Sequence, residues 1–310
     1  MFKRSLIFLV VGLAFHSLGM MNPALAESKD FKNHLMTMTI LYDNNPYDQR
    51  LKTAWGFSCF IEFEGKSILF DTGGDGRILL ENMKILNKDP KAINTVILSH
   101  IHGDHTGGLE SLLREKPNLE IYVPGSFPQN FDRAVNPVRN SSGASNPAGI
   151  FLKSNLATGG TAEQRGIISN GVKGDRAKVV RVNAPMEICQ GFRLTGEMGH
   201  GIKEQSLIIN TQDGIVLVTG CAHPGIIEII EKAKTTARED IYMVIGGWHL
   251  FSTGEREIKG IIDAFLRMGI QKVGPCHCTG DLAIAMFKKA YGKNFIQAGV
   301  GRIIQLDGPR

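Results

Sequence analysis

The sequence predicts an α/β sandwich, two sheets inside and helices outside, and three observations predict it. Short apolar runs of strand length alternate with segments of helical spacing in both halves of the chain. Hairpin-like pairs of runs occur in both halves as well. No short-period repeat and no clean linker divides the chain after the leader, so residues 27–310 of the 310 read as one domain.

The elements follow in order. Runs 35–41, 56–63 and 67–70 read as strands, with Glu64-Gly65 as a two-residue hairpin turn. Ile78, Leu79, Met83 and Leu86 have helical spacing across 77–86. The β-branched run 95–98 is a short strand, followed by a polar loop, a helix over 109–115 and a strand over 119–123. Residues 124–174 break the alternation: NPVRNSSGASNPAG is rich in Asn, Ser, Gly and Pro and has little periodicity. It reads either as a surface excursion or as an insertion walling a substrate cleft. Runs 178–182, 192–195, 205–210 and 215–219 then form an antiparallel-looking group. Helix 226–234, strand 241–245, helix 255–268, strand 272–274, helix 281–291 and two short closing runs complete the chain.

Composition excludes several classes. The chain is 43% hydrophobic and 21% charged, with 36 Gly and 12 Pro, which is ordinary for a globular protein and unlike disordered, collagenous, coiled-coil or multispan chains. Residues 1–26 carry Lys3 and Arg4, an apolar run over 6–15 and the small-residue end Ala24-Leu25-Ala26. That order is a secretory signal peptide, cleaved after Ala26, and its core is shorter than the roughly 18–20 residues a membrane span needs. The expectation is a periplasmic or secreted mature chain with no span of its own. Without the leader, 33 cations face 30 anions, a net +3 that does not argue for nucleic acid. Five cysteines (Cys59, Cys189, Cys221, Cys276, Cys278) are an odd number for an oxidising compartment, so at least one stays free, binds metal or pairs between chains. Cys276-His277-Cys278 is too tight for a disulfide framework, and its side chains would alternate across a strand extended that far. Gly73-Gly74 and Gly159-Gly160 are isolated pairs, and Asn140-Ser141-Ser142 formally matches a glycosylation acceptor.

The chemistry concentrates in Ser99-His100-Ile101-His102-Gly103-Asp104-His105, directly after the strand TVILS. In an extended segment His100 and His102 project the same way and can grip one cation. A turn at Gly103 re-aims Asp104 and His105 toward a second. Imidazole and carboxylate suit zinc, and also iron or manganese.

HxHxDH after a strand, preceded by Phe70-Asp71-Thr72-Gly73-Gly74 at another strand end, resembles the metallo-β-lactamase superfamily. The resemblance covers essentially the whole chain after the leader and implies a four-layer αβ/βα sandwich. It implies His100 and His102 at one metal position, Asp104 and His105 at a second, and Asp71 as the residue that orients the metal-binding loop. It also implies ligands downstream. In Cys221-Ala222-His223-Pro224-Gly225, cysteine stands where the pattern's GD puts a bridging aspartate, a departure from the family. Cys221 is then either a ligand or a small buried side chain, and His223, two residues on, reaches the cluster. The final histidine is a choice among His200, His249 and His277. His277 in PCHCTG occupies the C-terminal strand-end slot, His249 in GGWHLF lines the pocket as proton donor or substrate contact, and His200 sits in a loop. His34, just after the leader, is expected at the surface.

TGCAHPG, GGWHL, PCHCTGD and Glu204-Gln205-Ser206-Leu207 resemble the branch of metal-dependent hydrolases that includes the archaeal dihydropterin–ribofuranosylaminobenzene phosphate synthases. The resemblance implies two divalent metal ions, zinc by preference, and a small-molecule substrate. A water activated between two cations would attack an ester, amide or phosphodiester, with Asp104 holding it. The alternatives are a pterin-related transferase or synthase and a metal-binding protein without turnover. A pterin intermediate is cytosolic, so the export signal argues against that substrate; the absent GD aspartate argues against β-lactam cleavage.

Overall fold

The computed structural model describes residues 35–136 and 176–309. The expected leader, His34 and residues 137–174 of the expected insertion lie outside the described residues. Two sheets face one another. The first runs β13-β1-β2-β3-β4-β5-β6, from β1 (Leu35–Tyr42), β2 (Ser58–Phe63), β3 (Lys66–Phe70), β4 (Thr95–Ile97), β5 (Glu120–Pro124), β6 (Lys178–Val182) and β13 (Ile303–Asp307). The second runs β12-β11-β10-β9-β8-β7, from β7 (Met186–Cys189), β8 (Phe192–Leu194), β9 (Leu207–Thr211), β10 (Gly214–Thr219), β11 (Ile241–Gly247) and β12 (Lys272–Cys276). Helices α1 (Gly76–Ile85), α3 (Leu109–Glu115) and the short α4 (Phe131–Ala134) cover the first sheet, and α5 (Ile226–Ala237), α6 (Glu255–Arg267) and α7 (Asp281–Tyr291) cover the second. The short α2 (Gly103–Thr106) follows β4.

Three apolar clusters fill the gaps between the four layers. Met38, Ile40, Phe70, Ile97, Leu207, Val218 and Ile245 meet between the sheets. Leu79, Met83, Val96, Leu109 and Leu112 join the first sheet to its helices. Val244, Trp248, Ile258, Ile262, Phe265 and Phe287 do the same for the second. The spacing Ile258, Ile262, Phe265 puts one stripe of α6 inward. Burying each such side chain contributes about 1.5–3 kcal/mol.

Local chemistry sets the boundaries. Glu64 (φ 47°) and Gly65 (φ 74°) both adopt left-handed backbone, closing the expected two-residue hairpin with Phe63 opposite Lys66. Asp75 caps α1, its side chain accepting from the Arg77 N–H at 2.8 Å.

The structure differs from the sequence reading in four places. β7 was not expected; Met186–Cys189 is a half-exposed edge strand with weak alternation. The polar loop after β4 contains α2, and Gly103 opens it without a positive φ and with open space around its Cα. The turn there does not depend on glycine. β12 ends at Cys276 and a 3₁₀ turn holds His277–Thr279, so the Cys-His-Cys side chains do not alternate along a strand. Residues 125–136, expected to begin the irregular stretch, pack on the sheet through buried Phe127 and Phe131, and Arg181 donates to the Pro128 carbonyl at 3.0 Å and to Asp132 at 2.9 Å.

Parallel pairing positions the site. β3 and β4 run parallel, as do β10, β11 and β12, so in each sheet the residues just beyond their carboxyl ends emerge at a common edge. Those residues are Asp71, Ser99-His100, Cys221–His223, His249 and His277. Gln205 stitches the two sheets there, its backbone N–H donating to the Ser99 carbonyl at 2.9 Å and its side-chain amide to the Leu98 carbonyl at 2.9 Å.

Candidate metal centre

Two groups of donor atoms form at this edge. His100, His102 and His223 make one, and Asp104, His105, Cys221 and His277 make the other; within each group the donor atoms lie within 4.8 Å of one another. All seven residues named as ligands from the sequence are therefore brought together. His200 is not among them: it lies in an exposed bend. His249 stands alongside, its ring 4.6 Å from that of His223.

Each element aims its residue by a different device. His102, in extended backbone, ends the segment and α2 turns at once, so His100 and His102 face one group while Asp104 and His105 face the other. The tips of β3, β10, β11 and β12 use strained backbone. Seven non-glycine residues among those described have positive φ, and four are here: Asp71 (58°), Ala222 (60°), His249 (51°) and His277 (48°). Such conformations cost of order 1–3 kcal/mol each and persist where surrounding structure dictates them. Close approach adds a constraint: a Cβ on Gly220 would lie 2.1 Å from the Ser99 hydroxyl oxygen.

The ring orientations are set from behind. Asp71 is fully buried and accepts from the Ser99 N–H and hydroxyl, both at 2.7 Å, and from His105 Nδ1 at 2.7 Å. Ser99, its own proton committed to Asp71, accepts from His100 Nδ1 at 2.9 Å. Glu204, also fully buried, accepts from the N–H groups of Cys221, Ala222 and His223 and from His223 Nδ1, all at 2.9 Å. Asn44 Oδ1 accepts from His277 Nδ1 at 3.0 Å. Asp43 holds that turn, its Oδ1 accepting from the Asn45 N–H at 2.6 Å. With Nδ1 donating, each of these four rings turns its Nε2 toward the centre.

The spacing of those nitrogens supplies the test of fit. His105 Nε2 and His277 Nε2 are 3.2 Å apart, Cys221 Sγ is 3.2 and 3.4 Å from them, and His100 Nε2 is 3.2 Å from His102 Nδ1. Lone pairs aimed at one another across such gaps repel unless a positive charge lies between. Zinc–nitrogen bonds of about 2.0–2.1 Å at tetrahedral angles separate ligands by about 3.3–3.4 Å. The donor set fits divalent cations.

The electrostatics agree. Burial lowers the basicity of His100 to well below the ordinary histidine range, helped by neighbouring His105, and lowers that of His102 likewise. Burial pushes Asp104 up, but the adjoining His277 and the nearby His105 outweigh it and hold the carboxylate ionised. The same contest at Glu204 is won by His223 and the backbone donors. Burial lowers His105, yet the facing Asp71 carboxylate prevails and raises it to about 9. Cys221 donates toward Cys278, which keeps the proton on Cys221 and, against burial, favours thiolate at Cys278.

Asn44 was not singled out from the sequence, and Glu204 and Cys278 were named there without a role in the centre. Glu204 carried a signal, an acid between a Gly-rich loop and an apolar strand. The asparagine pair after β1 carried almost none, because its partner lies 233 residues away.

Comparison with known proteins agrees with the geometry. Residues 56–245 match the profile of the metallo-beta-lactamase superfamily. The chain is 31% identical over 291 residues to the 7,8-dihydropterin-6-methyl-4-(beta-D-ribofuranosyl)-aminobenzene-5'-phosphate synthase of Methanocaldococcus jannaschii, covering 88% of this chain and 97% of that one. An uncharacterised protein of the same organism is 28% identical over 277 residues, covering 86% of this chain and 98% of its own. Among solved structures, Tm1679, described as a metal-dependent hydrolase of the beta-lactamase superfamily, superposes with TM-score 0.62 at 24% identity over 88% of this chain and 99% of its own. The metallo-beta-lactamase fold protein YhfI of Bacillus subtilis gives 0.58 at 13% identity, with the same coverage. These two share the fold. The chain belongs to the metallo-β-lactamase superfamily, in the branch that includes dihydropterin–ribofuranosylaminobenzene phosphate synthase-like proteins.

Proposed function

We propose that the protein is an exported metal-dependent hydrolase that cleaves an ester, amide or phosphodiester bond in a small organic substrate. The observation that carries it is the pair of adjacent donor groups, three imidazoles beside an Asp–His–Cys–His set, at one open sheet edge. A pair of divalent cations, zinc by preference, would supply Lewis acidity there, lowering the pKa of water and polarising a substrate oxygen. His100, His102 and His223 would hold one and Asp104, His105, Cys221 and His277 the other.

The chain's own residues do the rest. Asp104, kept ionised, has an oxygen to accept a hydrogen bond from the attacking water and so aims its lone pair. Asp71, Glu204 and Asn44 keep the rings from rotating, so little reorganisation accompanies reaction. His249, its basicity raised by a hydrogen bond with Cys278 against burial, holds a proton for the leaving group. Trp55 and Phe251, 52% and 56% exposed, stand edge to face at 6.3 Å beside His277 and His249 and give organic substrates an apolar rim.

Replacement H102A should abolish turnover while the circular dichroism spectrum stays unchanged. Undiminished turnover in a panel of phosphodiesters, thioesters, lactones and β-lactams would refute the assignment.

A second reading, group transfer to a non-water acceptor, is favoured by the synthase relative's similarity over 97% of that protein's length. Phosphorylated pterin acceptors assayed beside the hydrolysis panel separate the two. Export, read from residues 1–26, weighs toward hydrolysis, and N-terminal sequencing of the recovered mature chain should begin at Glu27.

A further inference from the structure

Beside the two donor groups lies a third, which shares Cys221 with the second. Cys221 Sγ, Cys278 Sγ and an imidazole nitrogen of His249 lie within 4.8 Å of one another. Cys278 sits on the buried 3₁₀ turn after β12, and only a glycine fits opposite it: a Cβ on Gly247 would lie 2.8 Å from its sulfur. The His249 backbone N–H donates to that sulfur at 3.3 Å, and the sulfur lies 3.8 Å from the Cys221 carbonyl oxygen. His249 spends left-handed backbone to reach this position, its ring between His223 at 4.6 Å and Phe251 at 5.1 Å. Its open side gives an ion a path inward from solvent.

The chemistry of this set differs from that of its neighbours. It offers two sulfurs and one nitrogen and no oxygen, a composition that selects thiophilic ions over manganese or magnesium. Thiolates bridge two cations readily, so Cys221 need not leave the Asp104–His105–His277 group to serve here. We propose that Cys221, His249 and Cys278 form a third cation site, specific for thiophilic divalent ions such as zinc or cadmium and joined to the second donor group through the shared Cys221 sulfur. A ring nitrogen holding a cation cannot hold a proton, so filling this site withdraws His249 from the proton-donor role proposed above.

Ion binding tests the site without any substrate. Full-length protein stripped by chelator is saturated with cadmium or with manganese, and bound metal is counted by mass spectrometry alongside the thiolate-to-cadmium absorption in the near ultraviolet. Cadmium should load one equivalent more than manganese. C278S should lose that extra equivalent and part of the ultraviolet band, and H249A should weaken it at least tenfold while leaving the sulfurs in place. H102A should lose a different equivalent and keep the extra one, which separates failure of this proposal from failure of the hydrolase reading. Equal loading with the two metals, or an extra cadmium equivalent that survives in both C278S and H249A, would overturn the third site.

Discussion

Asp71 takes three hydrogen bonds on two oxygens, and each bond fixes a different part of the centre. The Ser99 N–H anchors the end of β4, the Ser99 hydroxyl relays orientation to His100, and His105 Nδ1 is held directly. D71A therefore frees one ring from each donor group at once. Removing such a supporting partner lowers metal affinity by about 10–100-fold. We expect that loss in competition titrations with a chromophoric chelator, with a comparable loss in N44A, which frees His277 alone; affinity unchanged in both would contradict the supporting role. At this scale the sequence was most informative where contacts are local. HxHxDH shows itself because its four ligand residues fall within six consecutive positions. Asn44 was silent because its bond to His277 crosses the fold, and Glu204 was legible as part of a motif but not as the partner of His223. Cys278 was legible as a thiol, not as the neighbour of Cys221.

The elements meet tightly where the tip of β10 touches that of β4. Gly220 there lies against the Ser99 hydroxyl, and an added Cβ would also approach an Asp71 carboxylate oxygen at 3.1 Å. G220A must separate the tips or break the Ser99–Asp71 bond. Overpacking of this kind typically costs about 1–3 kcal/mol. Urea denaturation should show that loss, and the same variant should bind metal more weakly; a midpoint equal to wild type would show that the tips move freely. The strands and long helices were readable because burial on one or both faces imposes period 2, continuous apolar runs or period 3.6, as at Ile258, Ile262 and Phe265. Met186–Cys189 was missed because an edge strand, largely half-buried, needs no clean alternation. The four residues of α2 were missed because a single turn is too short to carry a period.

Over the whole molecule, the centre couples stability to metal and to protons. Ions that bind only the folded chain stabilise it by about 2.7 kcal/mol per site at a hundredfold excess over Kd. For a chain of this size each kcal/mol shifts Tm by about 2–4 °C, so chelation should lower Tm by at least about 5 °C. The metal-free form then exposes the proton linkage. His105 is raised to about 9 by Asp71, and Asp71 itself is raised by burial, so the folded pair retains a proton that the unfolded chain releases near 6.5. A raised folded pKa gives stability that is full below the unfolded value and lost as pH rises through the folded one. Glu204 is shifted the other way, so its contribution is present above the ordinary carboxylate value of 4.5 and lost as acid protonates it. His100 and His102, lowered by burial, subtract stability below the ordinary histidine value of 6.5, and the thiolate-favouring shift at Cys278 opposes the alkaline loss. Stripped C278S protein should therefore be most stable near pH 6.5 and should weaken steadily toward pH 9. Denaturant midpoints across that range read the slope directly. Saturating metal should abolish the alkaline decline, because a cation at His105 Nε2 replaces the proton whose loss causes it, and loading at neutral pH should release protons measurable in weakly buffered solution. Stripped C278S protein equally stable from pH 6.5 to 9 would show that Asp71 and His105 hold no shared proton.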